Sequence, residues 1–307
     1  MSCRIAENSA GWAEKLTGIF APVCTPFAPD EEIDYDALRF NIAYYATTPL
    51  RGYLALGSNG ENRSLTEKEK LEVLTAIIES KGSEQVVMAG ATYDAKRDTD
   101  CFFRHAAALG TDFGLVLPPS YFRKQMTDAI LEGYFRDVAD CSPIPILLYN
   151  APGFCGITLS PDLVACLSEH PNIVGMKDSA PNGIENFLRY QGEKFHVLAG
   201  SANTLLPAML GGAPGGTVSL ANSFPQIALS LFEFGRKRDR VHGAELQAHV
   251  TRINNRISGA YGPAGVKAAM NLAGLRGGIP RRPLLPLSPE ETVNLRRFLI
   301  EEGLLSQ

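Results

Sequence analysis

Asn172-Ile173-Val174-Gly175-Met176-Lys177-Asp178-Ser179 is a short apolar, β-branched run that carries a lysine near its end. Such a run reads as a buried strand. Lysines lie mostly in water, and one carried on a core strand is costly unless its surroundings compensate. Burial disfavours the charged form of an amine, and the neutral amine is the form that attacks a carbonyl. Two readings of Lys177 therefore stand open: a solvated side chain snorkelling out at the strand end, or a reactive amine. Its neighbours decide between them.

Working outward, similar runs recur toward the N-terminus at Ile144–Tyr149, Phe113–Leu117, Val86–Gly90, Gly52–Leu56 and Gly18–Thr25. Toward the C-terminus they recur at His196–Gly200 and Gly216–Leu220. Helix signals fall between them. Asp34 is placed to cap a helix over about Asp36–Thr47, and Thr66 with Glu69 forms a capping box for one reaching about Ser80. Further helices are expected through Phe102 and Ala108, over about Thr127–Asp140, and from Ser160-Pro161-Asp162. Eight strands alternating with helices over roughly 220 residues predict an α/β fold, a (β/α)8 TIM barrel. A doubly wound sheet would need a phosphate fingerprint after an early strand. Gly211, Gly212, Gly215 and Gly216 lack that spacing and read as turn glycines. The division expected is a polar leader over 1–16, the barrel over 17–240, and a C-terminal helical extension over 241–307. The last helix of that extension is opened by Ser288-Pro289-Glu290-Glu291.

The 307 residues are 45% hydrophobic, enough for a large core, and carry 29 basic against 33 acidic side chains. A net charge of -4 argues against a nucleic-acid or polybasic membrane partner. The densest basic run, Arg236 to Arg240, falls where a helix should end and suits the helix dipole. Six scattered cysteines without a Cys-x-x-Cys pair read as reduced thiols. Met1 to Lys15 lacks the apolar stretch of a secretory signal and the arginine bias of a transit peptide, so the expected location is cytoplasmic. No stretch has transmembrane length.

Barrel active sites form at the carboxyl ends of the strands. There the sequence places Ser58 and Asn59 after strand two, Tyr121 after strand four, Tyr149 at strand five and Lys177 at strand six. Strands five and six should be neighbours, so Tyr149 and Lys177 should share one mouth. Each also has a plain reading: Tyr149 as a core tyrosine, Tyr121 as loop packing, and Gly57-Ser58-Asn59-Gly60 as an ordinary turn. The functional reading of that turn is a set of backbone N–H groups able to hold a carboxylate. Ser201 and Thr217 are nearest, by strand position, to the distal end of a ligand. The five histidines form no metal-binding pattern, and no metal is expected. His196, at the start of its strand, should face the opposite end of the barrel. No Gly-x-Ser-x-Gly elbow supports a serine triad.

Gly57-Ser58-Asn59-Gly60-Glu61, Tyr149-Asn150-Ala151-Pro152, Gly175-Met176-Lys177-Asp178-Ser179 and Leu198-Ala199-Gly200-Ser201 resemble the class I lyases related to dihydrodipicolinate synthase and N-acetylneuraminate lyase. The likeness runs from about Gly18 to Leu287 and is greatest to 4-hydroxy-2-oxoglutarate aldolase. Parts are also similar to fungal aldolases of 2-keto-3-deoxy sugar acids. The resemblance implies a covalent Schiff base between Lys177 and a pyruvate-type 2-oxo acid, with no other cofactor. It implies Tyr149 as proton shuttle, in relay with Ser58 and with Tyr121 from across a subunit interface, in a homotetramer built from dimers. One departure stands out. Where the synthases carry an arginine for the carboxylate of the aldehyde partner, this chain has Phe154. The alternatives are synthase-type condensation with aspartate semialdehyde, a sugar-acid aldolase, and a non-catalytic barrel that binds 2-oxo acids.

Overall fold

The computed structural model describes residues 9–306. The first helix, α1 (Ser9–Leu16), buries Leu16 completely, so the end of the expected polar leader is helical; the rest of that leader, with Cys3, lies outside the described residues. The barrel then runs β1 (Gly18–Pro22), α2 (Tyr35–Ala46), β2 (Gly52–Ala55), α3 (Glu67–Ser80), β3 (Val86–Ala91) and α4 (Lys96–Leu109). It continues with β4 (Phe113–Val116), α5 (Asp128–Cys141), β5 (Ile146–Asn150), the short α6 (Pro152–Cys155), α7 (Pro161–Ser168) and β6 (Ile173–Asp178). Last come α8 (Glu185–Leu188), β7 (His196–Ala199), α9 (Leu205–Leu210), β8 (Gly215–Thr217) and α10 (Pro225–Arg236). The strands pair in parallel and in chain order, and β1 joins β8 to close the ring.

The elements form where local chemistry allows. Every strand residue is buried, as expected of strands covered by side chains inside and helices outside. Asp34 accepts from Ala37 N–H to cap α2, Ser160 caps α7, and Thr66 with Glu69 closes the capping box of α3. The basic run begins at the last residue of α10. The extension comprises α11 (Arg240–Asn254), α12 (Ala260–Leu272) and α13 (Pro289–Glu301), the last opened by the Ser288/Glu291 capping box. No described helix is long and apolar enough to cross a membrane.

Two expectations are corrected. Strand eight is Gly215–Thr217 rather than Gly216–Leu220, so Gly215 and Gly216 are strand residues and not turn glycines. After Val218, whose N–H still donates to Phe20 O, the chain leaves the sheet in a 3-10 turn, Ser219–Asn222. The Asn222 side-chain amide ties that turn down by donating to Ser219 O and Pro22 O, at 3.1 and 2.9 Å.

Gly175 marks a close approach of β6 to β7: a Cβ there would lie 2.3 Å from the backbone oxygen of His196. Gly175→Ala is expected to cost about 1–3 kcal/mol through forced separation of the strands. Gly133→Ala, in α5 with no atom within 4 Å of the added carbon, is expected to be neutral or stabilising. Urea unfolding of both variants checks this; equal effects would contradict the packing described.

Candidate active site

β5 and β6 pair so that Tyr149 lies opposite Lys177, and both side chains are buried, 4% and 5% exposed. Lys177 Nζ sits 3.5 Å from Tyr149 Oη and 4.6 Å from the centre of the tyrosine ring. The solvated reading of Lys177 does not hold. Ser58 Oγ lies 3.5 Å from the same phenol oxygen. Both contacts are at the outer edge of hydrogen-bonding range, a looseness common before substrate draws catalytic groups together. Burial alone would push the Tyr149 phenol up. The positive charge of Lys177, with hydrogen bonds from Ser58, Ser179 and Lys177, outweighs it and holds the phenol below its ordinary value. The arrangement brings an amine, a phenol and a hydroxyl together, with the phenol oxygen between the other two groups.

The loop after β2 carries Ser58 and is fixed from several sides. Leu56 and Glu61 both take positive φ, 57° and 52°, a cost the surrounding contacts must offset. The buried Asn62 amide donates to Leu56 O at 2.7 Å and Gly90 O at 3.0 Å, and its oxygen accepts from Thr92 Oγ1 at 2.7 Å. Thr25 Oγ1 donates to Gly60 O, and the Asn59 amide to Ser219 Oγ, both at 2.8 Å. Gly90 permits the approach: a Cβ there would stand 2.4 Å from Leu56 O.

The other expected site residues are spread more widely. Ser201 follows β7, and its hydroxyl oxygen accepts from Asn203 N–H at 3.2 Å. Thr217 ends β8 fully buried, and its hydroxyl has no partner among the described residues. Tyr121 is 80% exposed, stacks edge-on against Phe122 and lines the same cavity as Ser58. His196 is buried as the first residue of β7, opposite Gly175. A cavity of about 520 Å³ opens at Ser58 and is walled by Arg63, Thr92, Tyr121 and Phe154 among others. Arg63 is the cation of that wall, 3.6 Å from Asp94. Among the described residues no cluster of three or more His, Cys, Asp or Glu could hold a metal.

Sequence reading missed the groups behind the pair. Strand alternation places Asn150 and Asp178 on the face opposite Tyr149 and Lys177, and they too lie in register. Asn150 Nδ2 donates to Asp178 Oδ1 at 2.6 Å, and Leu159 N–H donates back to Asn150 Oδ1 at 3.0 Å. Asp178 Oδ2 is buried without a partner among the described residues. Burial raises this carboxyl from its ordinary 3.8 to about 6, against the hydrogen bonds from Asn150 and Ala180 N–H. A raised acid favours folding while protonated: its contribution is full below about pH 4 and is lost as pH rises through about 6. Asp178→Asn is therefore expected to flatten stability between these values, a difference of at most about 3 kcal/mol. Urea melts across that range check it, and an unchanged slope would contradict it.

The dihydrodipicolinate synthetase family model matches residues 15–302. The "Probable 4-hydroxy-2-oxoglutarate aldolase, mitochondrial" of Emericella nidulans is 33% identical over 294 residues, 93% of this chain and 94% of the relative. The 4-hydroxy-tetrahydrodipicolinate synthase of Xanthomonas axonopodis pv. citri is 35% identical over 275 residues, 89% of this chain and 90% of the relative. A prophage protein of E. coli belonging to the dihydrodipicolinic acid synthase family, solved in complex with pyruvate, superposes with a TM-score of 0.87 at 26% identity, covering 94% of this chain and 99% of that one. A closed eight-strand barrel, with a family match spanning it from end to end, leaves one conclusion: the chain belongs to the dihydrodipicolinate synthetase family and is a carbon–carbon lyase.

Proposed function

We propose that the enzyme cleaves a 4-hydroxy-2-oxo acid, 4-hydroxy-2-oxoglutarate by preference, to pyruvate and glyoxylate through a Schiff base on Lys177. The observation that carries this reading is the buried contact of Lys177 with Tyr149 and of Tyr149 with Ser58. The amine of Lys177 adds to the C2 ketone and water leaves, forming an iminium. Tyr149 takes the proton of the C4 hydroxyl, the C3–C4 bond breaks, and its electron pair moves into the iminium to give an enamine. The aldehyde departs, C3 takes a proton back from Tyr149, and hydrolysis frees pyruvate and the amine. A phenol held below its ordinary value suits this shuttling near neutral pH.

The Ser58–Asn59 backbone is assigned the carboxylate beside the ketone, and Ser201 and Thr217 the distal end of the substrate. In the same proposal the enzyme works in the cytosol as a homotetramer. Assembly would take the exposed Tyr121–Phe122 pair out of water and bring Tyr121 into a neighbour's relay.

The cavity at Ser58 supports the choice of a dicarboxylic substrate. Phe154 offers no charge there, but Arg63 does, and an arginine can hold a carboxylate in a charge-assisted pair. The same anchor would serve aspartate semialdehyde, so synthase-type condensation is the second reading, favoured by the Xanthomonas relative. A panel of 4-hydroxy-2-oxoglutarate, longer 2-keto-3-deoxy sugar acids, and pyruvate with aspartate semialdehyde separates these. The expected result is pyruvate and glyoxylate from the first. Arg63→Ala should raise KM for that substrate by about 10–100-fold and leave the sugar acids unaffected. Absence of pyruvate release, or equal effects on both substrate types, would contradict the proposal.

A further inference from the structure

Three residues after Ser58, Glu61 places a charged side chain in the interior, 2% exposed, against Lys267, 1% exposed. Glu61 Oε1 lies 2.5 Å from Lys267 Nζ, and Oε2 accepts from Arg281 N–H at 2.9 Å. Lys267 Nζ also donates to Ile279 O at 2.8 Å. Phe27 is held between two cations, Lys267 at 4.5 Å and Arg281 at 4.4 Å from the ring centre. Arg281 goes on to Glu69 on α3 and to the backbone oxygens of Glu31 and Ser64. Lys267 stands on α12 and Arg281 beyond it, so both belong to the C-terminal extension.

A buried ion pair adds little net stability beside a well-packed apolar one, but breaking it by removing one partner is costly. Here the pair acts on geometry. Glu61 has a left-handed backbone, and its N–H donates to Ser58 O at 3.1 Å. The turn that presents the Ser58 hydroxyl to Tyr149 is thus closed at its far end by a residue that the extension holds in place. Asn62, Thr25 and Asn59 fix the rest of the loop from within the barrel, and the Glu61 clamp ties it to the extension.

We propose that Lys267, acting through Glu61, is a positioning residue that holds the Ser58 hydroxyl at the Tyr149 phenol, so that this lysine of the C-terminal extension governs proton transfer without itself touching substrate. The inference rests on the Lys177–Tyr149–Ser58 reading above for its catalytic consequence. A double-mutant cycle of Lys267→Met and Ser58→Ala tests it. Lys267→Met should lower kcat by up to about 100-fold with KM nearly unchanged. In the Ser58→Ala background the same change should cost nothing further, because the group it positions is gone. Losses that multiply, as general loosening of the fold would produce, overturn the proposal.

Amide hydrogen exchange over residues 57–62 gives a second readout that needs no turnover. Lys267→Met should speed exchange there and leave β5 and β6 protected; unchanged exchange overturns the proposal even if no 2-oxo acid is cleaved. Failure of the wild-type protein to release pyruvate would instead sink the catalytic reading. Should Lys267→Met not fold, Glu61→Gln with Lys267→Met leaves no lone buried charge. That pair should fold and show the same loss of kcat, and full wild-type kcat in it also overturns the proposal.

Discussion

The parallel pairing of Tyr149 with Lys177 is the constraint on which the rest of the molecule depends. Side chains alternate faces along a strand, so a slip of one residue would send Lys177 outward and turn Asp178 in. In an open sheet such a slip could be absorbed at an edge. In a ring closed from β1 to β8 there is no edge, and every other pairing resists it. The Asn150–Asp178 contact on the reverse face locks the same register from outside. Placing an amine against a phenol is in this sense a property of the whole barrel.

Closure explains why burial can be used here. A lysine and a tyrosine, each about 95% covered, would be expensive in an arbitrary core. In the barrel mouth each answers the other: the charge of Lys177 opposes the upward push of burial on the phenol. The outer contacts follow the same logic. Polar side chains that meet the Ser58 loop from just after β1 (Thr25), just after β3 (Thr92) and the turn after β8 (Ser219) offset two left-handed backbones. The extension reaches the same loop through Lys267 and Arg281. It is packed as part of the site's support.

How much of this could be read from the residues depends on the range of the interaction. The capping boxes at Thr66 and Ser288 are local chemistry and stand where the sequence put them. The meeting of Tyr149 and Lys177 needed only the rule that successive barrel strands are neighbours. The end of β8 is not legible locally, because Leu220 extends the apolar pattern whereas the tether of Asn222 to Pro22 crosses the whole barrel in sequence. Asn150 and Asp178 could have been found by alternation alone. Lys267 and Glu61 could not, since no spacing in the chain announces that two charges far apart in sequence share one buried site. Tyr121 is exposed in the single chain, and its assigned place in the relay depends on assembly.

In the proposed chemistry the amine of Lys177 forms the covalent link to substrate. Incubation with pyruvate and borohydride, followed by peptide mass analysis, tests it most directly. Activity is expected to be lost as a reduced pyruvate adduct forms on Lys177, with no adduct in Lys177→Ala. An unmodified Lys177 with activity retained, or an adduct on a different lysine, would contradict it.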